Sequence, residues 1–173
     1  MADSQPSVCH EGVCFAAEDK VDDVPLTLRG VSTFRYWGFR VYTGALYAPA
    51  SATSSDAILG EVPKKLVLRY HRSLTVDQFV EKSEETLEKH PQLSLAQLRP
   101  FLLRMQSMYV PVEEGDTYAI TYQPDKEELR LFFNDRLLGT SKGSFFARAY
   151  FGIWVSNYSV SDGFTDELLG KRP

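Results

Sequence analysis

Three arginines and a tyrosine set in an aromatic run carry the chemistry that this sequence offers most openly. Arg29, Arg35 and Arg40 fall within LTLRGVSTFRYWGFRVYTGALY, residues 26–47, beside Tyr36, Trp37, Phe39, Val41, Tyr42, Leu46 and Tyr47. A guanidinium kept in apolar surroundings must pair with a carboxylate of the protein or with an anionic ligand. Arg35 converging with the Tyr42 hydroxyl in an apolar cleft is what would fix the carboxylate or phenolate of a flat or aliphatic molecule. Against that stands the plainer reading, because an aromatic strip is more often core than ligand box.

The remaining reactive groups are sparse. Cys9 and Cys14 bracket His10 in a chain with two cysteines. They are open to three readings: a small disulfide loop in an oxidising compartment, thiols in a cytosol, or a partial Cys/His metal site whose other histidines, His71 and His90, are remote. No metal is expected. His71, flanked by Arg69 and Arg72, reads as a surface or hydrogen-bonded histidine, and His90, beside Pro91, as a helix-end residue favourable against the dipole. Glu81, Glu84, Glu85 and Glu88 read as a solvated helix face, and Glu113 to Asp116 as a turn. Neither is a paired-carboxylate site. No phosphate loop, Cys/His catalytic pair or nucleophile elbow is present.

The elements that must position these groups follow from periodicity. Residues 1–11 read as a flexible lead-in and 12–173 as one domain. Val13 to Ala16 reads as a short edge strand, Asp19 to Asp23 as a charged turn, and Leu26 to Gly30 as a short strand. Gly30 to Thr33 supplies turn chemistry before a long central strand, Phe34 to Tyr47, whose apolar load requires cover on both faces. APASATSSDA reads as a surface loop and Lys65 to Arg72 as a strand.

The period then changes to 3.6. Thr75 with Gln78, and Ser94 with Gln97, are capping boxes that open two helices, the second carrying Pro100 and the first stopped by Pro91. Strands return at Asp116 to Gln123, Leu129 to Phe133 and Arg136 to Gly139, the last two joined by a tight Asn134-Asp135 hairpin. Helical patterns close the chain from Ser144 and from Asp162 to Gly170. Hairpin-linked strands with helices inserted in blocks predict the α+β class, an antiparallel sheet backed by a layer of helices.

With 43% hydrophobic residues over 173, a single domain with a real core is the default. A net charge of −4 without a basic stripe excludes nucleic acid as the expected partner. No apolar run reaches the ~18–20 residues that span a bilayer. MADSQPS carries no signal-peptide pattern, so the expectation is periplasmic or secreted if a leader was removed, and cytoplasmic otherwise.

TFRYWGFRVYTGALY resembles the strand motif of the chalcone isomerase family, its bacterial chalcone-isomerase-like branch and plant fatty-acid-binding relatives, in Arg40-Val41-Tyr42 and Leu46-Tyr47. Asp77 to Lys82 resembles the family's helix after the third major strand. Gly152-Ile153-Trp154, Val160-Ser161 and Leu168-Leu169-Gly170 resemble its closing helix pair. The resemblance covers roughly residues 12–170. It implies an open-faced β-sandwich with a cleft between sheet and helices and no cofactor. In the catalytic members an arginine steers an oxyanion while a phenolate attacks a conjugated alkene. By motif that arginine falls at Arg35, with Arg29 as fallback. The strand threonine falls at Tyr42, the helix tyrosine at Phe79, the asparagine at Thr86, and a late Ser/Thr at Ser161.

Phe79 lacks the hydroxyl and Thr86 the amide of the catalytic set. Tyr42 in the threonine position is what the fatty-acid-binding relatives show. The resemblance therefore implies a protein that binds a small apolar acid, fatty acid or phenolic ligand without flavonoid cyclisation. Arg35 would hold the anion, Tyr42 would hydrogen-bond it, and Trp37, Phe39 and Phe79 would line the cleft. The alternative is a cofactor-independent isomerase using Arg35 and Tyr42. A third reading has Arg35 paired internally, with Asp77 or Glu81 as partner.

Overall fold

Seven antiparallel strands in strictly sequential order form one curled sheet, β3-β4-β5-β6-β7-β8-β9. The structure, a computed structural model, describes residues 5–171. The sheet strands are β3 (Glu18–Val21), β4 (Val24–Tyr36), β5 (Phe39–Ala48), β6 (Lys64–Tyr70), β7 (Thr117–Gln123), β8 (Glu128–Phe133) and β9 (Arg136–Lys142). A separate hairpin of β1 (Ser7–His10) and β2 (Val13–Ala16) precedes them. The helices are α1 (Ser55–Leu59), α2 (Val76–Leu87), α3 (Leu95–Gln106), α4 (Ser144–Val155) and α5 (Asp162–Leu168). This is the expected antiparallel α+β architecture.

Both capping boxes form: Thr75 and Gln78 bond reciprocally at the start of α2, Ser94 and Gln97 at the start of α3. Pro100 is accommodated inside α3. The main core lies between the helices and one sheet face, with Leu46, Leu66, Leu98, Leu102, Phe146 and Phe151 fully buried. A second, smaller core seals the outer face, where Val13 and Phe15 of β2 pack with Val21, Leu26, Ala45 and Tyr47. The two cores explain why every residue of β5 from Val41 to Ala48 is buried.

Several boundaries differ from the periodic reading, and tight turns account for most of them. The expected single strand Phe34 to Tyr47 is broken after Tyr36 by a two-residue turn, Trp37-Gly38, with Tyr36 facing Phe39. Both turn residues have positive φ, 52° and 80°, the type I′ geometry whose twist matches that of the strands. Gly30 to Thr33, expected as a turn, lies inside β4 at a register shift between Leu28 and Gly30. The charged turn shrinks to Asp22-Asp23, and Glu18–Val21 is a strand. Within the expected lead-in, Ser7–His10 is a strand, and residues 1–4 lie outside the described part. Ser55–Leu59, expected as loop, is a short helix capped by Ser54.

Cys9 and Cys14 stand opposite each other in the β1–β2 register and form a disulfide. Glu11 and Gly12, with φ of 47° and 85°, close the hairpin between them. Because this hairpin seals the outer core, reduction is expected to lower stability by about 2 kcal/mol, the entropy of so short a loop. Thermal melts with and without reductant measure it. Unchanged melts, or two titratable thiols in the non-reduced protein, would count against the bond.

Candidate ligand cleft

An apolar cavity of about 480 Å³ opens between the β4–β5 hairpin tip and α2. It falls inside the ~300–1,000 Å³ typical of small-molecule sites. Its sheet wall is built from β4, β5, β6 and β7 by Phe34, Tyr42, Leu68, Tyr70, Tyr118 and Ile120. Tyr42 is paired in register with both Phe34 and Tyr70, so strand alternation stacks these rings on one face. Phe34 and Tyr42 lie 5.2 Å apart, Tyr42 and Tyr70 5.5 Å, Tyr70 and Tyr118 5.9 Å. From the helix layer come Phe79 and Ser83 of α2, Tyr109 just beyond α3, and Tyr150, Ile153 and Trp154 of α4.

The interior is polar only through hydroxyls and one indole. The Trp154 indole N–H donates to the Tyr42 hydroxyl at 3.1 Å. Tyr109 and Tyr150 share a hydrogen bond of 2.6 Å, and Tyr118 bonds the Val110 backbone. The Tyr70 hydroxyl has no hydrogen-bond partner among the described residues, although its ring is 4% exposed. Burial pushes the Tyr109 and Tyr118 phenols up to about 12, and pushes Tyr42, Tyr70 and Tyr150 up as well. The neighbouring phenols of Tyr42, Tyr118 and Tyr109 add to the shift of Tyr70. All five therefore stay protonated at neutral pH, and all five line the same mostly apolar chamber.

Charge is confined to the rim. Arg72, Glu81, Lys82 and Glu85 border the opening, and each is exposed or half-exposed. Lys82 lies 3.8 Å from Glu85 and 5.6 Å from the centroid of Tyr36. Arg72 has no ion pair among the described residues. The rim thus holds a cation with no internal partner beside an apolar chamber.

Of the residues singled out in the sequence, Tyr42, Trp37, Phe39 and Phe79 line the cavity, and Arg35, Arg29, Thr86 and Ser161 do not. Arg35 follows the inward Phe34 and lies outside the chamber. Its guanidinium donates to the Glu11 carboxylate at 2.6 Å, and that pairing holds the Glu11 carboxyl below its usual range. Arg40, directly opposite Arg35 in register, donates to the Glu11 carbonyl at 3.0 Å. Two like charges face each other across the hairpin; the Glu11 carboxylate answers that of Arg35, and Arg40 keeps its net charge while bonding a neutral carbonyl. The internal partner of Arg35 is Glu11, neither Asp77 nor Glu81.

Arg29 reaches the Ala50 carbonyl at 3.4 Å. Thr86 donates to the Lys82 carbonyl within α2, and Ser161 caps α5 by accepting from Phe164 N–H. His71 bonds the Thr43 hydroxyl at 2.7 Å, which in turn bonds Thr33 at 2.9 Å, the hydrogen-bonded role expected of it. His90 differs from expectation: its Nδ1 accepts from Gln92 and Leu93 N–H, so it serves the turn into α3 as a neutral ring. Burial lowers its pKa accordingly. Glu84 is also not solvated as expected, because it accepts from Arg99 at 2.6 Å and from Gln106, tying α2 to α3. Sequence reasoning missed Tyr70, Tyr109, Tyr118, Tyr150 and Arg72. Tyr70 and Tyr118 lie on the inward faces of β6 and β7, a pattern that any buried strand shares, so nothing local distinguishes them from core.

Among the described residues no cluster of three or more His, Cys, Asp and Glu side chains is placed to hold a metal. No described helix is long and apolar enough to cross a membrane.

No curated protein matches the sequence. The crystal structure of a fatty-acid binding protein from Arabidopsis thaliana superposes with a TM-score of 0.70 at 16% identity, covering 95% of this chain and 96% of that one. At that identity the likeness establishes the fold. The family described as chalcone isomerase-like matches residues 8–170, nearly the whole chain. This protein belongs to the chalcone isomerase-like family.

Proposed function

We propose that the protein binds a small apolar acid, a fatty acid or a phenolic acid, with its apolar body in the cavity and its acid group at the rim. The carrying observation is the distribution of polarity: an apolar chamber of about 480 Å³ whose charged lining residues all stand at its mouth. An ionised carboxylate taken into the interior would meet no cation, at a cost of several kcal/mol. At the rim, Arg72 and Lys82 are within the same opening and water completes the solvation. The shared fold with a fatty-acid binding protein supports the ligand class. On this reading the anion would sit by Arg72 and Lys82 and not by Arg35, whose charge Glu11 already answers.

Mass spectrometry of molecules extracted from purified protein tests the reading. An apolar acid is expected in the wild type, with retention or affinity falling about three- to tenfold in Arg72→Ala, the weight of one exposed charge-assisted contact. Arg35→Ala is expected to retain it fully. Loss in Arg35→Ala with retention in Arg72→Ala would sink the placement. An empty wild type that also takes up no added fatty or phenolic acid would sink the function.

A second reading, a cofactor-independent isomerase, draws on the Tyr70 hydroxyl. A protonated phenol without a hydrogen-bond partner among the described residues, set in an apolar chamber, is a donor for an oxyanion that develops during reaction. Chalcone added to wild-type protein and followed by absorbance decides it, with turnover that disappears in Tyr70→Phe as the supporting result. For location, the Cys9–Cys14 disulfide supports an oxidising compartment, the periplasm or the exterior of the cell.

A further inference from the structure

The β4–β5 hairpin ends in three aromatic side chains that the protein leaves in water. Trp37 is 83% exposed, Phe39 66% and Tyr36 54%. They fall within the four residues of one turn, interrupted by Gly38, with Tyr36 and Trp37 rings edge to face at 6.1 Å. Trp37 itself occupies the left-handed region at φ 52°, a conformation that costs a bulky residue about 1 kcal/mol or more. Among the described residues the indole N–H has no hydrogen-bond partner, and the ring's aromatic contact is with the likewise exposed Tyr36. All three residues also border the mouth of the cavity.

We propose that this tip is a docking element for a lipid bilayer surface, inserting Tyr36, Trp37 and Phe39 at the headgroup level with the cavity mouth facing the membrane. Trp and Tyr combine an apolar body with a polar tip, which suits the boundary between headgroups and acyl chains. Cations flank the tip: Arg40 and Arg72 line a shallow hollow that Phe39 shares, and Lys82 stands over Tyr36. Glu81 and Glu85 share the rim and weaken this charge, so aromatic insertion dominates and anionic headgroups add a smaller attraction. A second copy of the chain fits less well. The exposed parts of three aromatic side chains amount to roughly 400 Å², about half of what one partner of a stable interface buries. A narrow protruding hairpin instead matches insertion to the ~5–10 Å depth of an interfacial anchor.

Docking does not depend on what the cavity holds. The consequence that rests on the proposed function is that an apolar acid passes between bilayer and chamber without crossing bulk water.

Cosedimentation with phosphatidylcholine vesicles containing a minor share of phosphatidylglycerol, together with tryptophan emission, tests the docking. The chain has two tryptophans, and Trp154 is 8% exposed, so a blue shift and quenching by brominated lipid report Trp37. The triple variant Tyr36→Thr, Trp37→Asn, Phe39→Thr keeps strand propensity and an asparagine that accepts positive φ. Its vesicle partitioning is expected to fall about tenfold or more. Leu137→Thr, which removes an exposed apolar residue of β9, is expected to partition like wild type. Tyr70→Phe, which alters the chamber alone, is also expected to dock normally, so a failed ligand assignment and a failed docking assignment read differently. Wild type that stays in the supernatant would overturn the proposal. So would equal partitioning of wild type and triple variant, or a Trp37 blue shift that follows protein concentration without lipid.

Discussion

Gly30→Ala is expected to destabilise the protein by about 3 kcal/mol, read as a fall in the urea midpoint at unchanged slope. A Cβ on Gly30 would lie 2.6 Å from the Leu168 carbonyl oxygen and closer still to that of Glu167. Both are backbone atoms at the end of α5, so no rotamer change relieves the contact. Either β4 or α5 must move. That helix brings Phe164 against Phe34 and Tyr42 behind the cavity wall, at ring separations of 6.1 and 5.6 Å. The variant is therefore expected to lose ligand retention together with stability. Gly163→Ala, in the same helix, meets only the Ser161 hydroxyl at an ordinary 3.9 Å and should be nearly neutral. Equal midpoints for the two variants would mean that α5 does not seat on β4 as described.

The second large effect is a stability maximum on the alkaline side of neutrality. Lys64 is 1% exposed at the start of β6, where its Nζ donates to the Ile58 and Gly60 carbonyls at 2.6 and 2.9 Å, closing the C-terminal end of α1. Burial pulls its ammonium down to about 7, against ~10.4 in an unfolded chain. Between those values the unfolded state binds more protons than the folded one, so raising the pH favours folding, by at most ~1.4 kcal/mol per pH unit. The two carbonyls and the nearby rings of Tyr122 and Phe151 favour the ammonium and temper this. A gain of about 2 kcal/mol from pH 7 to about pH 9.5 is expected.

Above pH ~10 the phenols reverse the trend. The pKa values of Tyr42, Tyr70, Tyr109, Tyr118 and Tyr150 are raised in the folded state, so their contribution is complete below the unfolded value of ~10 and is lost as pH climbs through the folded ones. Lys64→Met is expected to abolish the rise and keep the fall. Denaturation midpoints across this range measure both limbs, and a wild-type profile flat from pH 7 to 9.5 would show that Lys64 remains charged when buried.

The turns show where the reading of elements from sequence succeeded and where it failed. Asn134-Asp135 was recognisable because both residues tolerate the left-handed region, and they adopt φ of 47° and 66°. Trp37-Gly38 makes the same kind of turn and was not recognisable, because a bulky aromatic there violates the local preference. Missing it merged two strands into one and left the surroundings of Arg35 undefined. Glu11-Gly12 was lost, and the turn at Asp22-Asp23 was read too long as Asp19 to Asp23, for a related reason: short strands of mixed polarity beside them give no clear period of two.

By itself the sequence determined the antiparallel α+β class, the two capping boxes, the helical stretches of α2 to α5 and the chalcone isomerase-like membership. All of these rest on local periodicity or on motifs contiguous in the chain. It also marked Tyr42, Trp37, Phe39 and Phe79 as cleft residues, since aromatic density and the family motif coincide there. Only the tertiary structure decided which charges face that cleft. Phe34 and Arg35 are neighbours, and the register of the hairpin turns the first inward and leaves the second with Glu11, a residue 24 positions away. The phenol chamber is equally a product of packing, because Tyr70, Tyr109, Tyr118 and Tyr150 come from four separate segments. Contacts between distant segments depend on how the sheet curls and how the helices seat on it, and no local pattern encodes either.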